Sequence, residues 1–342
     1  MADDVLIPAD ELRARVAAVF RALGVPADQA AVGADVLVTA DLRGVSSHGV
    51  ALLPKYVAWY RRGEIEPDPR WRVVRETAAT ANVDAGRGLG VMLAPRAMDL
   101  AIGKARDTGI GLVTLRNGRH LGMAGYHAML ALRHDMIGIC LTASPPFMVP
   151  PGGRVPAIGS NPIAVAVPGG EHPPFVFDAA MTVAAGHRVG EARRSGALLP
   201  GGLVADEEGR PVLHAAPAPA ETRLLPIGAT PELGAHKGFG LALVVEILAG
   251  VLSGSGFAAR HGVDVANHVL AAVDVASFTP LDGFRATMDE LLGTLEALPP
   301  AAGASGVRIP GAASARISQE RKERGIPVTA DVLALLERPA PA

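Results

Sequence analysis

The chain has 342 residues, of which 49% are hydrophobic and 19% are charged, with a formal net charge of -2. A chain this apolar and this weakly charged excludes intrinsic disorder. The near-zero net charge also excludes long-range attraction to nucleic acid or to an anionic membrane surface. We therefore expect a folded protein with a core, no nucleic-acid or membrane partner, and a small-molecule substrate. The length favours about two domains.

Cys140 is the single cysteine and lies in an apolar run, so it excludes an intrachain disulfide and a cysteine-based zinc site. The spacings H-x-H and H-E-x-x-H are absent, and we predict no metal. The longest apolar segment, residues 238–252, is interrupted by Glu246, and the N-terminus is acidic where a secretory signal would be basic. These features indicate a cytoplasmic protein of a reducing compartment.

The first 75 residues read as helices. Apolar residues at helical spacing predict helices over about 12–23, 28–40 and 50–62. The polar, glycine-flanked segment 41–49 joins the second helix to the third. It contains Ser47 and His48.

From Trp71 onward, strands alternate with helices. Strands are predicted over residues 72–76, 80–84, 111–115, 137–142, 161–168, 175–178 and 271–278. Helices are predicted over residues 92–107, 122–134, 237–252 and 281–298, followed by an extended 307–311 and one charged helix that ends at 332–336. Residues 194–234 have little periodicity and are interpreted as a long surface excursion, whose length favours a functional or interface role.

This pattern predicts an α/β fold with a mixed α/β core and a helical domain built from both chain termini. We place the helical domain at residues 1–75 with 299–342 and the α/β domain at 76–298. The glycine-rich turn after Asp84 does not match the Rossmann fingerprint G-x-G-x-x-G, because Val91 stands where the third glycine is required. We therefore expect a non-Rossmann cofactor-binding domain.

Two histidines stand in loops suited to chemistry. His48 follows Ser47, whose hydroxyl can fix the imidazole tautomer, although either serine before it could simply cap the third helix. His120 lies between a strand end and a helix start, where α/β proteins bind ligands and anions. Lys237 opens the long apolar helix, where an ammonium and a helix N-terminus both attract phosphate or carboxylate; a solvated surface lysine is the alternative.

Taken together, the chain resembles the malate/L-lactate dehydrogenase family, which also includes ureidoglycolate, sulfolactate and 2,3-diketogulonate dehydrogenases and Δ1-piperideine-2-carboxylate reductases. The segments that carry this resemblance occur in the family's order and span nearly the whole chain. They are residues 43–50 (RGVSSHGV) with the following Pro54-x-Tyr56, 120–126 (HLGMAGY), 150–153 (PPGG), 159–164 (GSNPIA), Asp178-x-Ala180, 236–242 (HKGFGLA), 307–311 (VRIPG) and 325–327 (GIP).

The resemblance implies hydride transfer between NAD or NADP and a small 2-keto or 2-hydroxy acid, or a cyclic imino acid. It also implies a homodimer. His48 would exchange the proton with the carbonyl or imine, with Ser47 oriented against it, and His120 is the alternative acid/base. Arg43 and Ser160 would contact the substrate. The implied cofactor-binding residues are Asn117, Gly118, Arg119, His120, Leu121, Ser144, Asp178, Ala179, Ala180, His187, Lys237, Pro310, Gly311 and Arg316.

The chain also departs from the family pattern. Leu52 stands where many members carry an arginine that binds the substrate carboxylate, so Arg43, Arg119 or an arginine of a partner subunit would have to replace it. His187 and Arg188 form a second place where the chain differs from the family pattern. These departures motivate an alternative in which the protein binds a nucleotide or metabolite without turnover. A hydrolase that uses Ser47 and His48 is disfavoured, because adjacent side chains rarely meet as nucleophile and base.

Overall fold

The computed structural model describes residues 5–261 and 265–337. Its strands are β1 (Val5–Ile7), β2 (Arg72–Glu76), β3 (Thr80–Asp84), β4 (Ile110–Gly118), β5 (Met136–Ala143), β6 (Ile163–Val167), β7 (Phe175–Ala179), β8 (Leu198–Leu199), β9 (Ala216–Pro217), β10 (Ala266–Asp274) and β11 (Ile326–Val328). Its α-helices are α1 (Ala9–Ala22), α2 (Ala27–Leu42), α3 (Leu53–Arg61), α4 (Gly90–Thr108), α5 (Ala124–Met129), α6 (Gly186–Ser195), α7 (Ala235–Val245), α8 (Ala258–His261), α9 (Leu281–Glu296), α10 (Ala312–Arg324) and α11 (Ala330–Glu337).

A seven-stranded mixed sheet forms the centre of the fold. Its order is β2-β3-β4-β10-β5-β6-β7, and only the β3–β4 pair is parallel. The helix α4 connects these two strands as a crossover, and its buried face is rich in alanine. A sheet with one parallel pair confirms the predicted non-Rossmann α/β fold, since a dinucleotide-binding Rossmann sheet is mostly parallel.

The helical layer combines both ends of the chain. β1 pairs with β11, and apolar residues of α1, α2, α3 and α11 share one hydrophobic core. The largest fully buried side chains of this core include Phe20, Leu37 and Tyr56. The core continues into the α/β part through Val91, so the helical layer packs directly onto α4.

The strand β10 begins and ends earlier in the chain than predicted. The strand covers Ala266–Asp274 and not residues 271–278. Its first half contains Asn267 and His268, which resemble loop residues but form hydrogen bonds inside the protein: Asn267 Oδ1 accepts the Asn117 N–H at 3.0 Å, and His268 Nε2 donates to the Arg119 carbonyl at 3.1 Å. Internal hydrogen bonding of this kind hides a strand from a hydrophobicity pattern.

Two predicted helices end earlier than expected. The charged C-terminal helix is split into α10 and α11 by β11, because Gly325 adopts a φ of 95° and Pro327 follows. The helix expected over 237–252 changes from α7 to a π-helical turn at Glu246–Val251. The reason lies in the buried Glu246 carboxylate, which accepts hydrogen bonds from Asn161 Nδ2 and the Ala258 N–H, both at 2.7 Å.

The segment predicted as a surface excursion has a small core of its own. Residues 194–234 contain the end of α6 and the short β8–β9 pair. Their apolar side chains pack around Val189, Leu199 and Leu224. Within residues 5–261 and 265–337, no helix is long and apolar enough to cross a membrane.

Candidate active site

The turn that carries His48 is anchored from beneath by a buried carboxylate. Ser46–His48 and Val50–Leu52 are two short 3-10 turns between α2 and α3. Asp41, only 2% exposed, accepts the Val50 N–H at 2.7 Å and the Ser46 hydroxyl. Burial raises the pKa of Asp41 to about 7, although these hydrogen bonds and the positive charge of Arg321 oppose the shift. A side chain at Gly49 would overlap this carboxylate, since an added Cβ would lie 2.2 Å from it.

The imidazole of His48 is held by the neighbouring hydroxyl. Ser47 Oγ lies 2.9 Å from His48 Nδ1, and no group of residues 5–261 and 265–337 forms a hydrogen bond with Nε2. Burial lowers the pKa of His48 to about 4, with further contributions from the charges of His187 and Lys55. His48 is therefore a neutral imidazole at pH 7. The ring of His187, at the start of α6, packs edge-on against it at a centroid distance of 6.3 Å.

His120 stacks on His48 from the other side. The ring centroids are 5.7 Å apart with an interplanar angle of 21°. The Tyr56 hydroxyl lies 2.7 Å from His120 Nδ1, and the Gly122 N–H donates to the same nitrogen at 3.2 Å. Because Nδ1 accepts, the proton of His120 belongs on Nε2. Burial lowers the pKa of His120 well below that of a free imidazole. The structure thus brings both predicted histidines into contact as neutral rings.

Asp178 and Arg43 are two further predicted site residues whose charges influence each other. Asp178 ends β7 and accepts the Gly125 N–H at 2.7 Å. Its carboxylate reaches solvent, yet the surrounding protein raises its pKa while the Gly125 bond and the charge of Arg43 oppose that shift. Burial lowers the pKa of the half-buried Arg43 and the charge of Asp178 opposes it. The charges of Arg43 and Asp178 therefore influence each other.

The serine residues lie where β5 ends and β6 begins. Ser144 Oγ and Ser160 Oγ are 3.4 Å apart, and both residues are half-buried. The Ser160 carbonyl accepts the Met181 N–H at 2.7 Å, which ties it to the segment between Asp178 and His187. Asn161 Nδ2 donates to the Ala242 carbonyl at 2.9 Å, so the α7 helix that carries the exposed Lys237 packs against the same sheet end.

Other predicted cofactor residues have roles inside the protein. Asn117 donates to Asp84 at 3.0 Å, and Arg119 donates to the carbonyls of Glu64 and Gly118, each at 3.1 Å. Gly118 and Leu121 are buried, whereas Ala179 and Ala180 are half-buried at the end of β7. Pro310 and Arg316 are exposed on either side of Gly311, whose φ of 91° starts α10 beside Val176.

Sequence reasoning did not name Tyr56 and Asp41 as site residues. Tyr56 was placed on the third helix and in the Pro54-x-Tyr56 pair that contributes to the family resemblance, without a role in the site. Asp41 was interpreted only as part of a polar segment. No group of three His, Cys, Asp or Glu side chains arranged to hold a metal occurs in residues 5–261 and 265–337.

The fold brings two histidine rings into stacked contact, and a hydroxyl group lies within hydrogen-bond distance of Nδ1 of each ring. Paired imidazoles of this kind are suited to acid/base chemistry. Comparison with known proteins specifies the class. A profile of the family described as malate/L-lactate dehydrogenase matches residues 7–337.

Characterised relatives agree with that match. The malate dehydrogenase of Pyrococcus abyssi is 40% identical over 299 residues, which cover 85% of this chain and 82% of the relative. The (2R)-3-sulfolactate dehydrogenase (NADP(+)) of Chromohalobacter salexigens is 33% identical over 326 residues, or 93% of each chain. The structure of malate dehydrogenase from Pyrococcus horikoshii OT3 aligns with a TM-score of 0.90 at 34% identity, covering 99% of this chain and 96% of that one.

The chain belongs to the malate/L-lactate dehydrogenase family. It is an NAD(P)-dependent dehydrogenase, an oxidoreductase of hydroxy acids. The resemblance found in the sequence is thereby confirmed.

Proposed function

We propose that this protein interconverts a small 2-hydroxy acid and the corresponding 2-oxo acid, with cyclic imino acids as the related alternative substrates. The observation that carries the proposal is the pair of stacked imidazoles, with His48 held by Ser47 at 2.9 Å and Nε2 left free. An imidazole in this state is suited to accept the proton of a substrate hydroxyl.

Several side chains of the proposed cofactor site have the chemistry that a dinucleotide requires. Serine hydroxyls at the sheet end, the exposed ammonium of Lys237 and the exposed guanidinium of Arg316 form a donor set for phosphate and ribose oxygens. Inward-facing Asn117 and Arg119 would instead shape the loop that carries His120 and Leu121. The oxidised nicotinamide, when bound, supplies the acceptor for the hydride that leaves C2 of the hydroxy acid.

The chain's own residues would move the proton. His48 Nε2 takes the proton from the hydroxyl as C2 is oxidised, and returns it to the carbonyl oxygen in the reverse direction. Ser47 holds the ring, and His120 offers an Nε2–H that stabilises charge on the same oxygen or replaces His48 as acid/base. Ser160 and Arg43 would contact the substrate, with Arg43 as the planar partner for its C1 carboxylate. Leu52 is apolar and supplies no such contact.

Nucleotide binding followed by turnover tests this proposal. Fluorescence of NADH and of NADPH should report binding, and a panel of 2-oxo acids and cyclic imines should then be reduced. Binding without oxidation across the panel would favour the alternative of a protein that binds a nucleotide or metabolite without turnover. If neither nucleotide binds, the proposed function is wrong. The fixed arrangement of the His48, His120 and Tyr56 side chains favours turnover. Sedimentation of the same sample tests the proposed homodimer.

The pH profile should carry the signature of a desolvated base. We expect the acidic limb of kcat/KM for oxidation near pH 4, because His48, with its pKa of about 4, stays neutral above that pH. Reduction needs protonated His48, so its kcat/KM should fall as the pH rises above about 4. Initial rates in both directions test this.

Titration of Asp41, whose pKa is about 7, would add a second limb to the pH profile. The variant Asp41→Asn should therefore be measured in parallel. An acidic limb for oxidation near the ordinary histidine value of about 6.5, present in both proteins, would show that His48 is not the desolvated base.

A further inference from the structure

The peptide unit between Leu121 and Gly122 links two histidine rings. Its N–H, on Gly122, donates to His120 Nδ1 at 3.2 Å. Its carbonyl oxygen, on Leu121, lies 2.8 Å from Nε2 of His127, a residue of α5 that the mechanism above does not use. Because a peptide unit is planar, a contact that fixes the direction of its carbonyl also fixes the direction of its N–H. His127 is thus connected to His120 through one rigid group.

This contact decides which nitrogen of His127 carries the proton. A carbonyl oxygen only accepts hydrogen bonds, so Nε2 is the protonated nitrogen. Nδ1 has no hydrogen-bond partner among residues 5–261 and 265–337, and the side chain is 0% exposed. Burial lowers the pKa of His127 to about 4, although the hydrogen bond to Leu121 opposes the shift. His127 is therefore a neutral imidazole at pH 7 that uses its Nε2–H as a donor.

The buried Nδ1 of His127 has a cost in stability, since a polar atom without a partner inside a protein is unfavourable. An apolar side chain at this position would avoid that cost but would offer the Leu121 carbonyl no donor. The helix that carries His127 is also held in place. The Tyr126 hydroxyl and the Gly125 N–H each donate to a carboxylate of another element at 2.7 Å. His127 is thus a donor in a fixed position.

His120 depends on such a donor because its other polar neighbour is ambiguous. The Tyr56 hydroxyl, 2.7 Å from His120 Nδ1, is able to donate to this nitrogen or to accept from it, so it permits either tautomer. The Gly122 N–H only donates, and it therefore excludes a proton on Nδ1. The tautomer of His120 is thus set by the direction of the Gly122 N–H, which the contact with His127 fixes.

We propose that His127 is a positioning residue for His120: by binding the Leu121 carbonyl, it directs the Gly122 N–H at Nδ1 and so keeps the His120 proton on Nε2. This inference rests on the proposed function, in which the Nε2–H of His120 stabilises charge on the substrate oxygen or exchanges the proton itself. With the proton on Nδ1, the His120 ring would present only a lone pair at Nε2 and would not donate there.

Nitrogen NMR of protein with isotope-labelled histidine tests the inference without turnover, because protonated and unprotonated ring nitrogens have well separated chemical shifts. The signals of the two rings are identified as those missing from spectra of His120→Gln and His127→Gln. At pH 7, wild type should show both rings with a protonated Nε2 and an unprotonated Nδ1. A proton on Nδ1 of either ring would overturn the proposal.

His127→Leu removes the donor and keeps an apolar side chain of similar size. The ratio of the Nδ1–H to the Nε2–H form of His120 should then rise about 10-fold, which corresponds to the loss of one neutral hydrogen bond. His127→Gln places an amide N–H near the position of Nε2, so it should fold and keep the wild-type ratio. An unchanged ratio in His127→Leu would contradict the proposed role.

His268→Leu is the matched control, since His268 is also 0% exposed and its Nε2 donates at 3.1 Å to the Arg119 carbonyl of the same loop. That carbonyl belongs to the peptide unit before His120 and not to the one that carries the Gly122 N–H. The tautomer ratio of His120 should therefore keep its wild-type value in this variant. An equal change in both leucine variants would assign the effect to a general loosening of the loop and would overturn the proposal.

The kinetic effect is measured separately from the tautomers. In an active enzyme, His127→Leu should lower kcat about 10-fold, because His120 is then mixed in tautomer and less well oriented. The dissociation constants of NADH and NADPH should be unchanged, and His127→Gln should restore kcat. Weakened nucleotide binding with a normal kcat would overturn the proposal. If no 2-oxo acid is reduced, the proposed function fails, and the tautomers of His120 still decide the role of His127.

Discussion

Replacing His48 with alanine should lower kcat by about two to four orders of magnitude, which is the usual contribution of a positioned acid/base group. Affinity for NADH and NADPH should change little, because the hydrogen bond of His48 is to Ser47 and its ring contacts are to His120 and His187. Stopped-flow or steady-state rates give kcat, and nicotinamide fluorescence gives the dissociation constant on the same protein.

Lys237→Ala is the complementary variant. Its exposed ammonium, at the start of α7, should contribute chiefly to cofactor binding, so the dissociation constant rises while kcat at saturation is nearly unchanged. His120→Ala decides between the two imidazoles, since the acid/base residue is the one whose loss removes the proton-transfer step. A His48 variant with normal kcat and weakened nucleotide binding would show that the roles are reversed.

Asp41→Ala should destabilise the protein by about 3 kcal/mol and reduce kcat by about 100-fold. The stability loss follows because Asp41 is 2% exposed and its removal leaves the Val50 N–H and the Ser46 hydroxyl without their acceptor. The loss of rate follows because the turn that carries Ser47 and His48 then loses its anchor. Urea unfolding and steady-state kinetics measure the two effects.

Gly49→Ala provides an independent test of the same contact. Its added Cβ would lie 2.2 Å from the Asp41 carboxylate, so this variant alone should also be strongly destabilised. In an Asp41→Ala background the space is free, and Gly49→Ala should then add little. Asp41→Asn keeps an acceptor for Val50 and should retain most of the stability. Additive losses in the double variant would contradict the packing described here.

Much of the α/β framework could be predicted from local patterns. The strands β2 and β3 have the predicted bounds, since each is a short run of strand-forming residues closed by a turn. The helices α1, α2, α4 and α9 differ from prediction by a few residues at their ends, where helix boundaries are least specified by sequence. The failure of the Rossmann fingerprint correctly pointed to another cofactor fold.

Prediction of the secondary structure failed where polar residues lie in the interior of the protein. His268 and Asn267 in β10, and Glu246 in the π-helical turn, carry loop-like or surface-like side chains that distant residues satisfy. A pattern of hydrophobicity contains no information on partners that are far apart in the chain. The same reason explains why Asp41 and Tyr56 were not recognised as site residues.

By itself, the amino-acid sequence determined the fold class, the membership of the dehydrogenase family and the two candidate histidines, because these depend on periodicity and on short segments. Only the tertiary structure decided that His48 and His120 stack as neutral rings and that Asp41 supports the turn that carries His48. Burial and long-range charge set each of these states, and both arise only when segments far apart in the chain pack together.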